Sequence, residues 1–380
     1  MTNIPHSKTL IFHIGDPKTG SSSIQQTLFD GNWSCPGHDL AYPDRLNAIP
    51  LAKSLYADAP APQRQHQFAE TADWLRQQPE KTAVLSAEHF AFVAPETLKD
   101  AVEQYLPDYA GRVRVIAYVR PHAARMLSTY AQRVKTRGLQ QDISAFCKAQ
   151  IRQEKFIYTP RFTAWRKVFG DDFTLRPFLR DTLYQGDVVA DFLHTALGSG
   201  PITISAGPQV NESPTLDHLA SLQLIQKVLR QAGLTRELRH ALCINLADRL
   251  ARGPSAAGPR LKMPQSLIPL LQDAYQEDAA ALDAAFFEGA PMTKALAAAA
   301  ESATHTDQSI AADSRLSPAQ RQGLRQISNR ISAQTPADLE TWHRHYRQTK
   351  RTKAGADAPQ PDNAAGISTL LAEACALIES

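Results

Sequence analysis

A chain of 380 residues is long enough for one large domain with additions or for two domains, and 43% hydrophobic with 21% charged residues is the make-up of an ordinary globular protein. The 41 Lys and Arg against 38 Asp and Glu leave a net charge of +3, too small to argue by itself for nucleic acid, and no nucleic-acid partner is expected. The opening MTNIPHSKTL has no apolar signal core and no stretch approaches the ~20 apolar residues of a membrane helix, so a cytoplasmic protein without a membrane span is expected. Cys35, Cys147, Cys243 and Cys375 lie far apart without metal-ligand or redox spacing, and read as isolated thiols in a reducing compartment.

The first apolar run, Leu10–Ile14, reads as a strand. It passes through Gly-Asp-Pro-Lys-Thr-Gly-Ser-Ser-Ser into Ile24-Gln25-Gln26-Thr27-Leu28, which suits a helix. Strand, small-residue loop and helix in that order build an anion site, because the first N–H groups of the helix have no helical acceptor and its dipole favours negative charge there. Gly15 and Gly20 are spaced as in the G-x-x-x-x-G-K-[ST] loop, yet Ser21 and Ser22 follow the second glycine and the only lysine, Lys18, lies inside the loop. A triphosphate-binding loop is therefore disfavoured and an anion site is kept. Asp16 puts a negative charge beside that anion, which requires a partner or water.

Three more runs, Ala83–Ser86, Val113–Val119 and Phe173–Arg176, are dense in Val, Ile, Leu and Phe, as strands buried on both faces of a parallel sheet are. Between them Arg64–Gln77, Pro121–Arg137, Arg161–Phe169 and Asp187–Leu197 suit amphipathic helices. Beyond about residue 200 the strand signal fades. Thr215–Gln231, Arg236–Leu250, Leu267–Phe287, Ser317–Ala333 and Ala337–Lys350 read as helices, and a last short helix follows a linker at 354–366. The expectation is an α/β fold: a P-loop-like parallel sheet flanked by helices over 1–203, a helical part over 204–295 that completes the core or covers an acceptor site, and a helical extension over 296–380. The basic stretch 343–353 reads as a solvated helix face.

Two other strand ends carry chemistry. The second strand ends in Ser86, Glu88 and His89, and either Glu88 or His89 is able to take a proton from a hydroxyl. The third ends in Arg120, just before Pro121, whose ring suits the first turn of a helix. Arg125, Ser128 and Gln132 then fall on one helical face, with Met126, Leu127 and Tyr130 left to pack elsewhere. An arginine and a hydroxyl converging on one point make a phosphate clamp, although the spacing alone favours Arg120 paired to a sheet-end carboxylate and Ser128 as a small packing residue. His13, on the strand before the loop, is a further titratable group.

Together these motifs resemble the PAPS-dependent sulfotransferases, in particular the bacterial branch related to carbohydrate sulfotransferases. HIGDPKTGSSSIQ resembles that family's P-K-[ST]-G-[ST]-[ST] loop, YVRPHAARMLSTYAQRV its R-x-x-x-x-R-x-x-S-x-Y segment, and LSAEHF its S-[SA]-E strand end. WRKVFGDDFTLRPFLRD, GDVVADFLHTALG and VNES resemble its later core, so that the likeness spans roughly 8–215. It implies that Lys18, Thr19, Gly20, Ser21, Ser22 and Ser23 hold the 5′-phosphosulfate of PAPS, with Lys18 also catalytic. It implies that Arg120 and Ser128 bind the 3′-phosphate, and that Glu88 is the general base with His89 in reserve. Arg125 and Gln132 would reach toward the acceptor or solvate the helix. Arg260 or Lys262 would stand in for an Arg-Lys-Gly segment that is not found here.

The expected reaction is sulfuryl transfer from PAPS to a hydroxyl acceptor, such as one on a glycan or glycolipid precursor, releasing 3′-phosphoadenosine-5′-phosphate without a metal. The alternatives are a non-catalytic nucleotide-binding or partner-binding relative and, with less in its favour, a small-molecule P-loop kinase.

Overall fold

The computed structural model describes residues 9–78, 82–198, 200–205, 213–306, 308–349 and 361–380. The chain begins with β1 (Leu10–His13), α1 (Ser21–Asp30), the short strands β2 (Trp33–Ser34) and β3 (Leu40–Ala41), α2 (Ile49–Ser54), α3 (Ala61–Arg76), β4 (Thr82–Ser86), α4 (Pro95–Tyr105) and β5 (Val113–Val119). It continues through α5 (His122–Arg137), α6 (Ile143–Arg152), α7 (Thr159–Phe169), β6 (Phe173–Pro177), α8 (Val188–Leu197) and β7 (Thr203–Ile204). Only helices follow among the described residues: α9 (Leu216–Gln231), α10 (Arg236–Leu250), α11 (Ile268–Phe286), α12 (Pro291–Ala297), α13 (Ala312–Arg315), α14 (Pro318–Ser332), α15 (Pro336–Thr349) and α16 (Asp362–Glu379).

These elements form two compact units, one from 1–121, 157–208 and 276–295 and the other from 122–156, 209–275 and 296–380. Both draw residues from either side of position 203, where composition alone set the end of the α/β core. The reason is packing: α5 lies against α9 and α10, so the helix that follows the third apolar strand joins the later helices.

The first unit is α/β. Its five-stranded sheet has the order β3-β4-β1-β5-β6, and every neighbouring pair is parallel. β1 is central, with Leu10, Ile11, Phe12 and His13 all fully buried. The chain fills the sheet on one side of β1 with β3 and β4, then crosses to the other side with β5 and β6. The switch point beyond the carboxyl end of β1 is where open α/β sheets bind ligands. The two-residue strands β2 and β7 pair antiparallel, and with β3 they carry too short a pattern to be read from sequence.

Buried polar side chains tie the sheet to α8. Asp191, wholly buried, accepts from the Tyr118 hydroxyl of β5 at 2.7 Å, from Arg176 of β6 through Nε at 3.0 Å and Nη2 at 2.5 Å, and from the Tyr184 amide at 2.8 Å. The adjacent carboxylate raises the Arg176 pKa, while burial and the same carboxylate push the Tyr118 phenol well above its ordinary value. Arg114 of β5 donates to the carbonyls of Thr195 and Ala196, both at 2.8 Å, and so satisfies the open end of α8.

The second unit is helical. Its core gathers Leu222 and Leu229 of α9, Leu242 and Leu246 of α10, Leu324 and Ile331 of α14, and Ile367 and Leu371 of α16. Ser317 and Gln320 close a capping box across Pro318 at the start of α14, as the local sequence calls for. The expected linker at 354–366 is corrected from residue 362 on, while 354–360 lie outside the described residues. There the chain is already in α16, an 18-residue helix rather than a short one. Its apolar stripe is buried from Ala364 to Ile378, and burial outweighs the weak helix propensity of Gly366. On α15 Leu339 and Trp342 are buried while Arg344 and Arg347 are exposed, as a solvated basic face requires; residues 350–353 lie outside the described residues. No described helix is long and apolar enough to cross a membrane.

Removing a buried carboxylate strands its cationic partner, and such losses run to roughly 3–5 kcal/mol. Asp191→Ala is expected to lower the unfolding free energy by about 3 kcal/mol, discounted to the low end because Arg176 is one-third exposed. Urea unfolding checks this, and a loss below about 1 kcal/mol would mean that Arg176 and Tyr118 find other partners.

Candidate functional site

The site is built at the carboxyl edge of β1, β4 and β5. Register aligns His13 with Ser86 on one side and Ile116 on the other, so the loop after β1, the turn after β4 and Arg120 after β5 leave the sheet at the same edge. The Ala87 amide continues the ladder to the His13 carbonyl at 3.1 Å.

The loop from Gly15 to Gly20 has three residues in the left-handed region: Gly15 at φ 52°, Lys18 at φ 75° and Gly20 at φ 80°. A glycine enters that region freely, whereas a lysine held there stores on the order of 1–3 kcal/mol of strain. Gly20 has a second constraint, since a Cβ on it would come within 2.8 Å of Val188 Cγ1 on α8. Gly20 is the cap of α1 and supplies no side-chain oxygen to the helix, so the amides of Ser21 and Ser22 are left for an external acceptor. The Thr19 hydroxyl turns inward to the Asp16 carbonyl at 2.5 Å. Ser21 is buried and its Oγ meets no protein partner, Ser22 is exposed, and Ser23 is half-buried with its amide bonded to the Gly20 carbonyl at 2.9 Å.

The loop is held by two arginines. Asp16, 1% exposed, accepts from Arg161 Nη2 of α7 at 2.7 Å, which supplies the partner its position demanded. Arg120 Nη1 donates to the Lys18 carbonyl at 3.0 Å, and its guanidinium lies 5.5 Å from the centre of the Phe178 ring. The Arg120 carbonyl in turn accepts from the Tyr158 hydroxyl at 3.1 Å. Arg161 carries no local sequence signal, being 145 residues from Asp16.

Glu88 opens a 3-10 turn, Glu88–Phe92, directly after β4. It is half-buried and lies against the start of the loop: a Cβ on Gly15 would sit 3.6 Å from Glu88 Cα and Cβ. Tyr42 and Tyr56 feel its charge, and in both burial is the larger cause of a raised phenol pKa. Burial lowers the His89 pKa, with Lys53 of α2 acting in the same direction and Glu88 against it. Its Nδ1 is buried without a partner. Sequence reasoning missed Tyr42, Lys53 and Tyr56, which reach Glu88 and His89 only through the fold. A carboxylate and a mostly neutral imidazole side by side are able to accept a proton from a hydroxyl.

His13 has a different place from its neighbours. It is fully buried, its Nδ1 is 2.7 Å from Ser86 Oγ, and Gln25 Nε2 donates to the same hydroxyl at 3.1 Å. Desolvation lowers the His13 pKa to about 3, so it is a neutral packing histidine beneath the loop.

Of the expected donor-binding residues, Ser128 alone belongs to the second unit, half-buried on α5. Arg125, expected to reach an acceptor or solvent, is instead buried in that unit, with its guanidinium over the Phe156 ring at 5.2 Å and Nη1 donating to Thr129 Oγ1 at 3.2 Å. Arg260 and Lys262 are also residues of the second unit, where Arg260 Nη2 donates to the Ala256 carbonyl at 3.4 Å and the Lys262 amide to Gln308. Among the described residues no three His, Cys, Asp or Glu side chains gather as a metal site.

Set against known proteins, the chain matches no family model, no curated protein and no solved structure.

The depressed His13 pKa has a sign for stability. The unfolded chain binds a proton at this residue below its ordinary value of 6.5, while the native chain resists until about 3. Stability is therefore expected to fall as pH drops from 6.5 toward 3, by up to about 1.4 kcal/mol per pH unit from this group. His13→Gln, measured by urea unfolding at pH 6 and pH 4.5, should show a shallower decline than the wild type. An equal decline would assign the acid sensitivity to other groups.

Proposed function

We propose that this chain is a sulfotransferase that moves a sulfuryl group from PAPS to an acceptor hydroxyl. The observation that carries this reading is the loop at the switch point of the sheet: it contains the strained Lys18, opens onto the first amides of α1, and has Glu88 against its first glycine. The likeness of this loop and of the Arg120 and Glu88 strand ends to the sulfotransferase motifs names the donor.

In this mechanism the amides from Thr19 to Ser22 and the hydroxyls of Ser21 and Ser22 hold the 5′-phosphate. Sulfuryl transfer, like phosphoryl transfer, asks chiefly for alignment and for stabilisation of spreading charge. Glu88 takes the acceptor proton as the acceptor oxygen forms its bond to sulfur. The bond from sulfur to the bridging oxygen breaks, and Lys18 stabilises the charge left on 3′-phosphoadenosine-5′-phosphate. Arg120 recognises the 3′-phosphate, and His89 acts as base only if Glu88 does not. The acceptor class carried by the resemblance is a carbohydrate hydroxyl. A small-molecule kinase has less support, since no lysine follows Gly20.

Calorimetric titration of the full chain with 3′-phosphoadenosine-5′-phosphate, ADP and ATP, each with and without Mg²⁺, tests the donor. Preference for the 3′-phosphorylated nucleotide without metal is expected, and preference for Mg²⁺-ATP would overturn the proposal in favour of the kinase. Lys18→Ala is expected to slow release of 3′-phosphoadenosine-5′-phosphate from PAPS, in the presence of a panel of glycans, by about 10²–10³-fold. Its affinity for the product nucleotide should change far less. Turnover that survives the substitution would remove Lys18 from the chemistry.

A further inference from the structure

Asp16 poses an electrostatic problem that Arg161 meets directly. A carboxylate inside an anion loop repels whatever the loop binds, and at 1% exposure water screens it little. Arg161 Nη2 meets it at 2.7 Å. The guanidinium is itself fixed, lying 4.6 Å from the Phe162 ring centre and 5.9 Å from that of Tyr158. The start of α7 that carries these residues is pinned by Asp278, which accepts from the Tyr158 and Thr159 amides at 2.9 Å each.

The same helix start reaches the loop a second time. The Tyr158 hydroxyl donates to the Arg120 carbonyl at 3.1 Å, and Arg120 Nη1 donates to the Lys18 carbonyl at 3.0 Å. Asp16, Arg161, Tyr158, Arg120 and Lys18 thus form a closed circuit that grips the loop on both sides of Pro17. We infer that Arg161 is a positioning residue of this site: acting through Asp16, it cancels the charge of that carboxylate, and so determines how tightly the loop takes an anionic group of the phosphate or pyrophosphate class. The inference rests on the reading of the loop as an anion site, not on the identity of the donor.

The test is a charge-rescue series on the full chain, Arg161→Gln, Asp16→Asn and the double variant. Affinities are measured by calorimetry for inorganic pyrophosphate and for 3′-phosphoadenosine-5′-phosphate. Arg161→Gln removes a cation from beside Asp16 and is expected to weaken both ligands by about tenfold or more. The double variant, which removes both charges, is expected to return to within about threefold of the wild type. A double variant as weak as Arg161→Gln would overturn the proposal, because packing over Phe162 and Tyr158 would then be what matters. So would an Arg161→Gln protein of undiminished affinity. If Arg161→Gln fails to fold, the comparison of Asp16→Asn with the double variant decides: equal affinities are expected, and a drop of about tenfold overturns the inference. A wild type that binds pyrophosphate but not the nucleotide would sink the sulfotransferase reading and leave this one standing. Binding of neither would sink both.

Discussion

β1 is hydrogen-bonded along both edges, to β4 and to β5, and all four of its side chains are removed from solvent. That double pairing constrains everything at the site. It aligns His13 with Ser86 and Ile116, and it forces the loop after β1 to leave between two neighbouring strand ends. Because parallel strands all run the same way, their polar ends collect at one edge, and the hydrophobic burial of the strands holds them there. The loop is stiffened further by Gly20, whose missing Cβ lets α1 lie against Val188 and Phe178.

Buried aspartates do the long-range tying in the sheet unit. Asp16 binds Arg161, Asp191 joins Tyr118, Arg176 and the Tyr184 amide, and Asp278 caps α7. Asp283 does the same for α12, accepting from the Met292 and Thr293 amides at 2.9 and 2.8 Å. A buried carboxylate is costly unless it is paired, so each of these residues specifies its partners as well as its own position. Two of the four cap helix starts from a different helix. Local capping rules, which account for Asp142, Asp187 and Ser317 at the starts of α6, α8 and α14, do not anticipate them.

Around Glu88 the chemistry is of another kind. The 3-10 turn begins within two residues of a buried strand and leaves Glu88 and His89 only half-buried, among Tyr42, Lys53 and Tyr56. His13, two strands' ends away in sequence but next to Ser86 in space, is held neutral by burial instead. Burial differing over one sheet edge gives neighbouring titratable groups unlike properties, as acid–base chemistry requires. Arg161 and Arg120 hold the loop from the other flank, through the Asp16 carboxylate and the Lys18 carbonyl.

What the residues determined by themselves were the elements whose signal is local: four apolar runs dense in Val, Ile, Leu and Phe, the strand–loop–helix order around Gly15 and Gly20, and amphipathic helices. They also fixed which chemistry sits at each strand end, since a side chain one or two positions past a buried strand has nowhere else to be. The short strands β2, β3 and β7 carried too few residues for a period to register. Only the tertiary structure decided that α5 joins the later helices, that Arg125 is buried against Phe156, that residues 362–366 are helix, and that Asp16 is answered by Arg161. Each of these depends on burial or pairing between segments tens to more than a hundred residues apart, and no local pattern of charge or hydrophobicity records which distant surface a residue will meet.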